Sequence, residues 1–345
     1  MADTLLGSFV WCELMTTDMK AAESFYSKVV GWKPVPFAPD GSYTVFNNSA
    51  GGVGGVMNLP DSARQMGAPP HWIMYLGTPN VDDTAMRVTQ LGGRVHKQPE
   101  DIPNVGRFAV VQDPFGATFA LLQPKPAPGT PAPKRGGVGD FSWFELYTPN
   151  PEGAWKFYQT LFGWEKTSAM DMGDMGTYQM FGRGGSIPNG GMMKPPPGAP
   201  AAWQPYALVK DAKAAAAAAA SSGGKIVNGP MEVPGGDWIA VGIDPQGAMF
   251  AVHSLNPATA KQVQPAKAER ARQNATGARQ KAKGTAQKAK NRTKGAKPAM
   301  KRGKPKRAPK RKAAKKTTVK KAAPKMAAKK TAAKKKASKT ARRKR

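Results

Sequence analysis

Residues 9–32 read FVWCELMTTDMKAAESFYSKVVGW, and residues 141–165 read FSWFELYTPNPEGAWKFYQTLFGWE. Trp11 returns as Trp143, Glu13 as Glu145, Phe25-Tyr26 as Phe157-Tyr158 and Gly31-Trp32 as Gly163-Trp164, each 132 positions on. The echo continues downstream. Tyr43 recurs as Tyr178, the pair Trp72/Tyr75 as Trp203/Tyr206, and Gly92-Gly93 as Gly223-Gly224. Asp113-Pro114 with Gly116 recurs as Asp244-Pro245 with Gly247. A repeat of about 130 residues has the size of a domain and is too long for a solenoid unit. The chain is therefore a tandem duplication.

Local chemistry gives each copy the same order of elements. Ser8–Met15 alternates and is rich in β-formers, which predicts a strand. Asp18 is a suitable helix N-cap, and Ala22, Phe25, Tyr26, Val29 and Val30 follow the spacing of a buried helical face. Gly31 falls where a left-handed residue ends such a helix. The second copy repeats this with Asn150 as cap, Pro151 at the first helical position, and a stripe of Ala154, Phe157, Tyr158, Leu161 and Phe162. Short strands follow at Tyr43–Phe46 and Gly54–Asn58. The rest of the first copy reads as a strand around Trp72–Leu76, a helix ending near Gly92-Gly93, and a strand over Phe108–Gln112. The turn Asp113-Pro114-Phe115-Gly116 then leads to a last strand, Ala117–Leu122, so that these two strands form a hairpin. Pro/Gly-rich stretches at Leu59–Pro70 and Lys194–Ala202 split the copies. The result is four βαβββ modules in an α+β fold.

The boundaries expected are residues 6–124 and 140–256 for the two domains, 125–139 for a Pro-rich linker, and 257–345 for a cationic tail. Charge separates the tail from the rest. The chain carries a formal net charge of +31, yet residues 257–345 hold 35 of its 53 Lys and Arg against one acid, Glu269. The body is close to neutral. The tail has no Phe, Trp or Tyr and is broken by six prolines. It lacks the apolar surface needed to offset ordering entropy, so disorder in isolation is expected. Cys12 is the single cysteine, so no intrachain disulfide can form, which suits a reducing compartment. No stretch of about 18 apolar residues exists to span a membrane, and the N-terminus lacks the pattern of a signal peptide. The expected location is cytoplasmic and nucleoid-associated.

The βαβββ module used four times, the FY-x-x-x-x-GW helix end and the DP-x-G hairpin closing each copy together resemble the vicinal oxygen chelate superfamily. That superfamily contains glyoxalases, extradiol dioxygenases and bleomycin-resistance proteins. The resemblance covers about Leu6 to Leu255 and looks most like two-domain glyoxalase-like proteins. It implies paired modules curling into a cleft that commonly holds a divalent metal. In metal-dependent relatives, the resemblance places ligands at positions that here are Trp11 and Trp143, Ala120 and Ala251, and near Ile73 and Gln204. Indole and methyl groups do not coordinate such cations. No metal ligand and no cofactor is therefore expected, and a divalent metal ranks below a metal-free cleft.

Strand alternation puts Trp11 and Glu13 on one face, as it does Trp143 and Glu145. A carboxylate beside an indole in a cleft can act as general acid or base. Glu13 and Glu145 are the candidate catalytic residues, although their presence in both copies favours a structural role. The expected ligand-binding cleft comprises Trp11, Trp143, Trp72, Trp203, His71, Met57, Met192 and His253. The tail blocks AAKK, KKAAPK and KPKRAPKRK resemble linker-histone tails and the lysine-rich extensions of bacterial nucleoid proteins. Lys301, Arg302, Lys304, Lys306, Arg307, Lys310, Arg311 and Lys312 are its candidate nucleic-acid contacts, because dense cationic side chains bind phosphates with release of counterions. Electrostatics alone does not choose among DNA, RNA and other polyanions. The expected protein binds a small organic ligand and is tethered to DNA or another polyanion. The alternatives are a lyase, isomerase or oxygenase using a cleft Glu or an unrecognised metal site, and an architectural nucleoid protein. Two copies in one chain can supply internally the pairing that single-domain relatives obtain by dimerising, which is compatible with a monomer.

Overall fold

The computed structural model describes residues 5–125, 136–184 and 188–256. The tail and its eight candidate nucleic-acid contacts, Lys301 to Lys312, lie outside the described residues, as does the chain between 126 and 135.

The first copy runs β1 (Phe9–Thr16), α1 (Met19–Val29), β2 (Lys33–Pro36), β3 (Tyr43–Asn48) and β4 (Gly51–Asn58). A short helix α2 (Asp61–Gln65) leads to β5 (His71–Gly77), α3 (Val81–Gln90), β6 (Arg94–Ile102), β7 (Gly106–Gln112) and β8 (Thr118–Pro124). The second copy runs β9 (Phe141–Tyr147), α4 (Pro151–Phe162), β10 (Glu165–Asp171), β11 (Thr177–Gly182) and β12 (Gly190–Met193). It ends with β13 (Ala202–Leu208), α5 (Ala212–Ser221), β14 (Lys225–Glu232), β15 (Trp238–Ile243) and β16 (Met249–Ser254). These are the four βαβββ modules, arranged as two curled mixed sheets of eight strands. The first sheet has the order β2-β3-β4-β1-β5-β8-β7-β6 and the second β10-β11-β12-β9-β13-β16-β15-β14. Within each copy the two modules join through their first strands, antiparallel, with Glu13 opposite Ile73 and Glu145 opposite Gln204.

Side chains start each long helix, at Asp18 and Asn150 as the sequence predicts and at Asn80 and Asp211 in addition. Asp18, Asn80 and Asn150 accept the N–H of the residue three positions on, and Asp211 accepts from Lys213 and Ala214. Each bond satisfies a donor that the first helical turn leaves without a partner. Gly163 ends α4 at φ 70°, the left-handed conformation that a Cβ disfavours.

The helix-bearing faces of the two sheets share one core. α1 packs on α5 of the other copy, and α3 on α4. The buried face of α5 is Ala212, Ala215, Ala216 and Ala219. Its small side chains let α1 approach closely, and Phe25 lies against Gly224 and edge-on to Phe250.

The repeated motifs hold the copies together reciprocally. Tyr26 donates to Asp244 Oδ2 (3.0 Å) and Tyr158 to Asp113 Oδ2 (3.0 Å). Trp72 Nε1 donates to the Tyr26 hydroxyl and Trp203 Nε1 to the Tyr158 hydroxyl, each at 3.0 Å. Trp32 Nε1 donates to the Gly139 carbonyl (2.7 Å), just before copy 2 begins, and Trp164 Nε1 to the Gly7 carbonyl (2.9 Å), just before copy 1 begins. Each aspartate also organises its own hairpin. Asp113 Oδ1 accepts from the N–H groups of Phe115 and Ala117, and Asp244 Oδ1 from those of Gln246 and Ala248. Burial raises the pKa of both aspartates, against the opposing pull of these hydrogen bonds.

Candidate functional site

Opposite the helices, each sheet presents a second face with its own apolar cluster. On the first sheet Ile73, Tyr75, Ala120 and Leu122 are packed with half-buried Val10, Trp11, Met15, Phe108 and Val110. On the second sheet Tyr206, Val241 and Ala251 are packed with Trp143 and Ile239. Trp11 and Glu13 share this face, as do Trp143 and Glu145, because alternate residues of β1 and β9 point the same way.

Both glutamates are almost fully buried, at 6% and 7% exposure. Each sits at the end of a chain of donors. Trp11 Nε1 donates to the Tyr43 hydroxyl (2.9 Å), Tyr43 bonds Glu13, and Tyr75 donates to Glu13 Oε1 (3.0 Å). In copy 2 Trp143 Nε1 donates to Tyr178 (2.8 Å), Tyr178 bonds Glu145, and Tyr206 donates to Glu145 Oε2 (2.7 Å). A third phenol, Tyr147, bonds Glu145 where copy 1 has Met15. An ionised carboxylate only accepts hydrogen bonds, so a cage of phenol donors fits its charged form. Burial works the other way and raises the pKa of Glu13, opposed by the bonds from Tyr43 and Tyr75. The phenols themselves are raised, first by burial and then by the adjacent carboxylate, so they remain protonated donors.

Two glycines make the cage possible. A Cβ at Gly55 would overlap the Tyr43 hydroxyl, and one at Gly191 would overlap the Tyr178 ring and hydroxyl. Gly55 is opposite Glu13 and Gly191 opposite Glu145 in parallel ladders. The absence of a side chain there lets each tyrosine lie across the strand to the carboxylate. The signal that could have found this arrangement is the glycine pair paired with a recurrent tyrosine in both copies.

Other expected cleft residues divide between the two faces. Met57 is opposite Met15 and Tyr43, on the glutamate face. His71 is opposite Met15 at the end of that face, with Nδ1 2.7 Å from the Pro69 carbonyl. His253 is on the second sheet's glutamate face, opposite Ile239. Trp72, Trp203 and Met192 face the other way. Trp72 is opposite Leu14 and Trp203 opposite Leu146, so strand parity turns all three into the shared core. The counterpart of Met57 is Met193, opposite Tyr147.

The donor set suits a metal poorly. At each site one carboxylate stands among phenols, an indole and a methyl group, and its oxygens already accept phenol hydrogen bonds. Among the described residues no three His, Cys, Asp or Glu come together in a way that could hold an ion. No helix among them is long and apolar enough to cross a membrane.

Comparison with known proteins agrees with this architecture. The model of the glyoxalase/bleomycin resistance protein/dioxygenase superfamily matches residues 8–121 and 140–252. The putative glyoxylase CFP32 of Mycobacterium bovis is 35% identical over 253 residues, which is 72% of this chain and 94% of that protein. The anthracycline biosynthesis protein DnrV of Streptomyces peucetius is 30% identical over 265 residues, covering 72% of this chain and 94% of its own. Among solved structures, the 2,3-dioxygenase LapB from Pseudomonas sp. KL28 superposes with a TM-score of 0.53 at 12% identity, over 73% of this chain and 94% of that one. The Mn(II)-bound glyoxalase from Novosphingobium aromaticivorans superposes with a TM-score of 0.52 at 18% identity, over 73% and 84%. At these identities the two structures speak for the fold.

Proposed function

The chain belongs to the glyoxalase/bleomycin resistance protein/dioxygenase superfamily, and from that membership we propose that its body binds a small, largely apolar organic ligand on the glutamate face of a sheet, without a metal. The observation that carries this reading is the caged carboxylate. Glu13 and Glu145 stand where a ligand's hydroxyl or enol can be met by phenols and a carboxylate, on faces otherwise lined by half-buried aromatic and aliphatic groups. Such a surface suits a flat, hydroxylated ring system, with apolar contact giving affinity and few polar groups fixing orientation. The likeness to a protein named for anthracycline biosynthesis supports the same ligand class. Calorimetric titration with a series of hydroxylated polycyclic aromatics tests it. Saturable binding that weakens on Trp11→Ala or Trp143→Ala is expected; no binding by any member of the series overturns it. Metal analysis of the purified chain tests the second half, since stoichiometric Fe, Mn, Ni or Zn would contradict a metal-free site.

A second reading has Glu13 as general base in a lyase, isomerase or oxygenase reaction. It is favoured by the raised pKa of Glu13, which brings a carboxylate toward the range useful for proton transfer near neutral pH. The equal occurrence of the cage in both copies favours a shared structural or binding role over catalysis.

The basic tail adds a tether to DNA or another polyanion at the nucleoid. Its charge supports binding that is weakly sequence-selective and salt-sensitive, with log K falling against log salt at a slope of about −9 if roughly ten phosphates are engaged. Its lack of aromatic residues argues against base stacking. Gel retardation by the full chain and by residues 1–256 tests the tether. Equal retardation by both would remove it.

A further inference from the structure

Copy 2 carries a polar relay that its caged glutamate does not use. Ser142 Oγ lies 2.8 Å from His253 Nδ1, and His253 Nε2 lies 2.9 Å from Asp237 Oδ2. The other carboxylate oxygen, Asp237 Oδ1, accepts the Asn256 N–H at 2.7 Å, so the acid is held on both sides. The partners define the tautomer. Asp237 can only accept, so Nε2 carries the ring proton, and Nδ1 is left to accept the proton of the Ser142 hydroxyl.

Position distinguishes this set from ordinary packing. Ser142 is the extra residue of a β-bulge, between the pairs Trp143↔Tyr206 and Phe141↔Ala207. A bulge re-aims the side chain it carries, and bulges recur beside active sites. Copy 1 has the same bulge, between Trp11↔Tyr75 and Phe9↔Leu76, and there it holds Val10. The registers Phe108↔Leu122 and Ile239↔His253 set Leu122 against His253 and Gly106 against Asp237. The fold therefore needs none of the three polar groups at these positions. Ser142 also lines an open groove with Val10, Trp11, Arg183 and Asn189, so space in which a small molecule can lie adjoins this residue.

We propose that Ser142, His253 and Asp237 form a nucleophilic triad that accepts the acyl group of small esters. The Ser142 oxygen attacks the ester carbonyl as its proton passes to His253 Nδ1. The bond to the alkoxy group then breaks, and the alkoxide leaves with that proton. Water attacks the acyl-serine by the same route, its proton passing through Nδ1 back to the Ser142 oxygen, and the acid is released. The cycle is redox-neutral and consumes one water. Asp237 acts through the ring, fixing its tautomer and stabilising the imidazolium. The proposal is separate from ligand binding at the caged glutamates, and either can fail without the other.

Incubation of the full-length protein with a fluorophosphonate, followed by peptide mass mapping, reads the nucleophile directly, because the serine oxygen displaces fluoride and keeps the phosphonyl group. The expected result is one adduct on Ser142, absent from Ser142→Ala. His253→Ala slows its formation on the order of 10²-fold, the contribution typical of a positioned general base. Asp237→Asn, which keeps the shape of the acid, also slows it and guards against a His253 variant that fails to fold. The absence of an adduct on Ser142 in the folded wild-type protein overturns the proposal, and so does an adduct that forms at the same rate in a folded His253 or Asp237 variant.

Discussion

The two copies hold each other through the same contacts used in opposite directions, and they differ on the faces turned away from each other. Tyr26 reaches Asp244 as Tyr158 reaches Asp113, and Trp32 caps the start of copy 2 as Trp164 caps the start of copy 1. The Trp–Tyr–Glu–Tyr cage is also shared. Around it the copies diverge. Met15 stands opposite to Tyr147 in role, Ile73 to Gln204, Val10 to Ser142 and Leu122 to His253. Identity across the duplication thus marks groups that both copies need, the clamp and the buried carboxylates among them. Chemistry particular to one copy has to be sought where identity stops.

The largest test of that division is the clamp. Asp113→Ala and Asp244→Ala each strip partners from a buried tyrosine hydroxyl and two hairpin N–H groups. Leaving buried donors unmade costs about 1–3 kcal/mol apiece, so each variant should lose about 3 kcal/mol of unfolding free energy or more in urea melts. Losses that differ between the two by more than the cost of one hydrogen bond would break the symmetry of the clamp. Next, Gly55→Ala and Gly191→Ala should each destabilise by about 2 kcal/mol, the usual cost of overpacking. Both should free Tyr43 or Tyr178 from its indole partner, visible as a change in tryptophan fluorescence. A smaller exchange tests the difference itself. Tyr147→Met removes the third phenol from Glu145, and Met15→Tyr supplies one to Glu13. A shift of about 1 kcal/mol in each is expected, of opposite sign, as a single net hydrogen bond gives.

The finest probe is pH. The pKa of Glu13 is raised in the folded protein above its ordinary value of 4.5, so the folded state binds this proton more tightly than the unfolded one. The contribution is full below pH 4.5 and is lost as pH rises through the raised pKa. The stability of wild type minus that of Glu13→Gln should therefore fall as pH is raised across that window. A difference that grows with pH would mean that the phenol cage outweighs burial.

Much of this was readable from the chain. Asp18 and Asn150 announced their helices because capping is a local interaction, and the DP-x-G turns announced their hairpins for the same reason. The alternation of β1 was enough to put Trp11 beside Glu13. Parity across strands was not readable. Trp72 and Trp203 belong to the core because β5 and β13 pair with Leu14 and Leu146 opposite them, and a one-residue change of register would have reversed their faces. Met192 went to the core for the same reason, while its neighbour Met193 took the place expected of it. The Tyr26–Asp244 bond spans 218 residues, and no local pattern encodes such a partner. His253 was visible as a lone histidine on a strand; its serine comes from β9 and its aspartate from the turn just before β15, and only the folded sheet joins them to it.

The reciprocal clamp has a consequence for assembly. A single copy carries both halves of every contact, Tyr and Asp, indole and carbonyl, so its surface is complementary to itself. Two separate copies would meet as a twofold dimer with the same patch on both partners. The covalent connection between the copies replaces that bimolecular step with an intramolecular one and sets its effective concentration. It also removes a constraint. A symmetric dimer must change both of its faces at once, whereas a fused pair can hold one carboxylate cage unaltered and still acquire Ser142, His253 and Asp237 in the other.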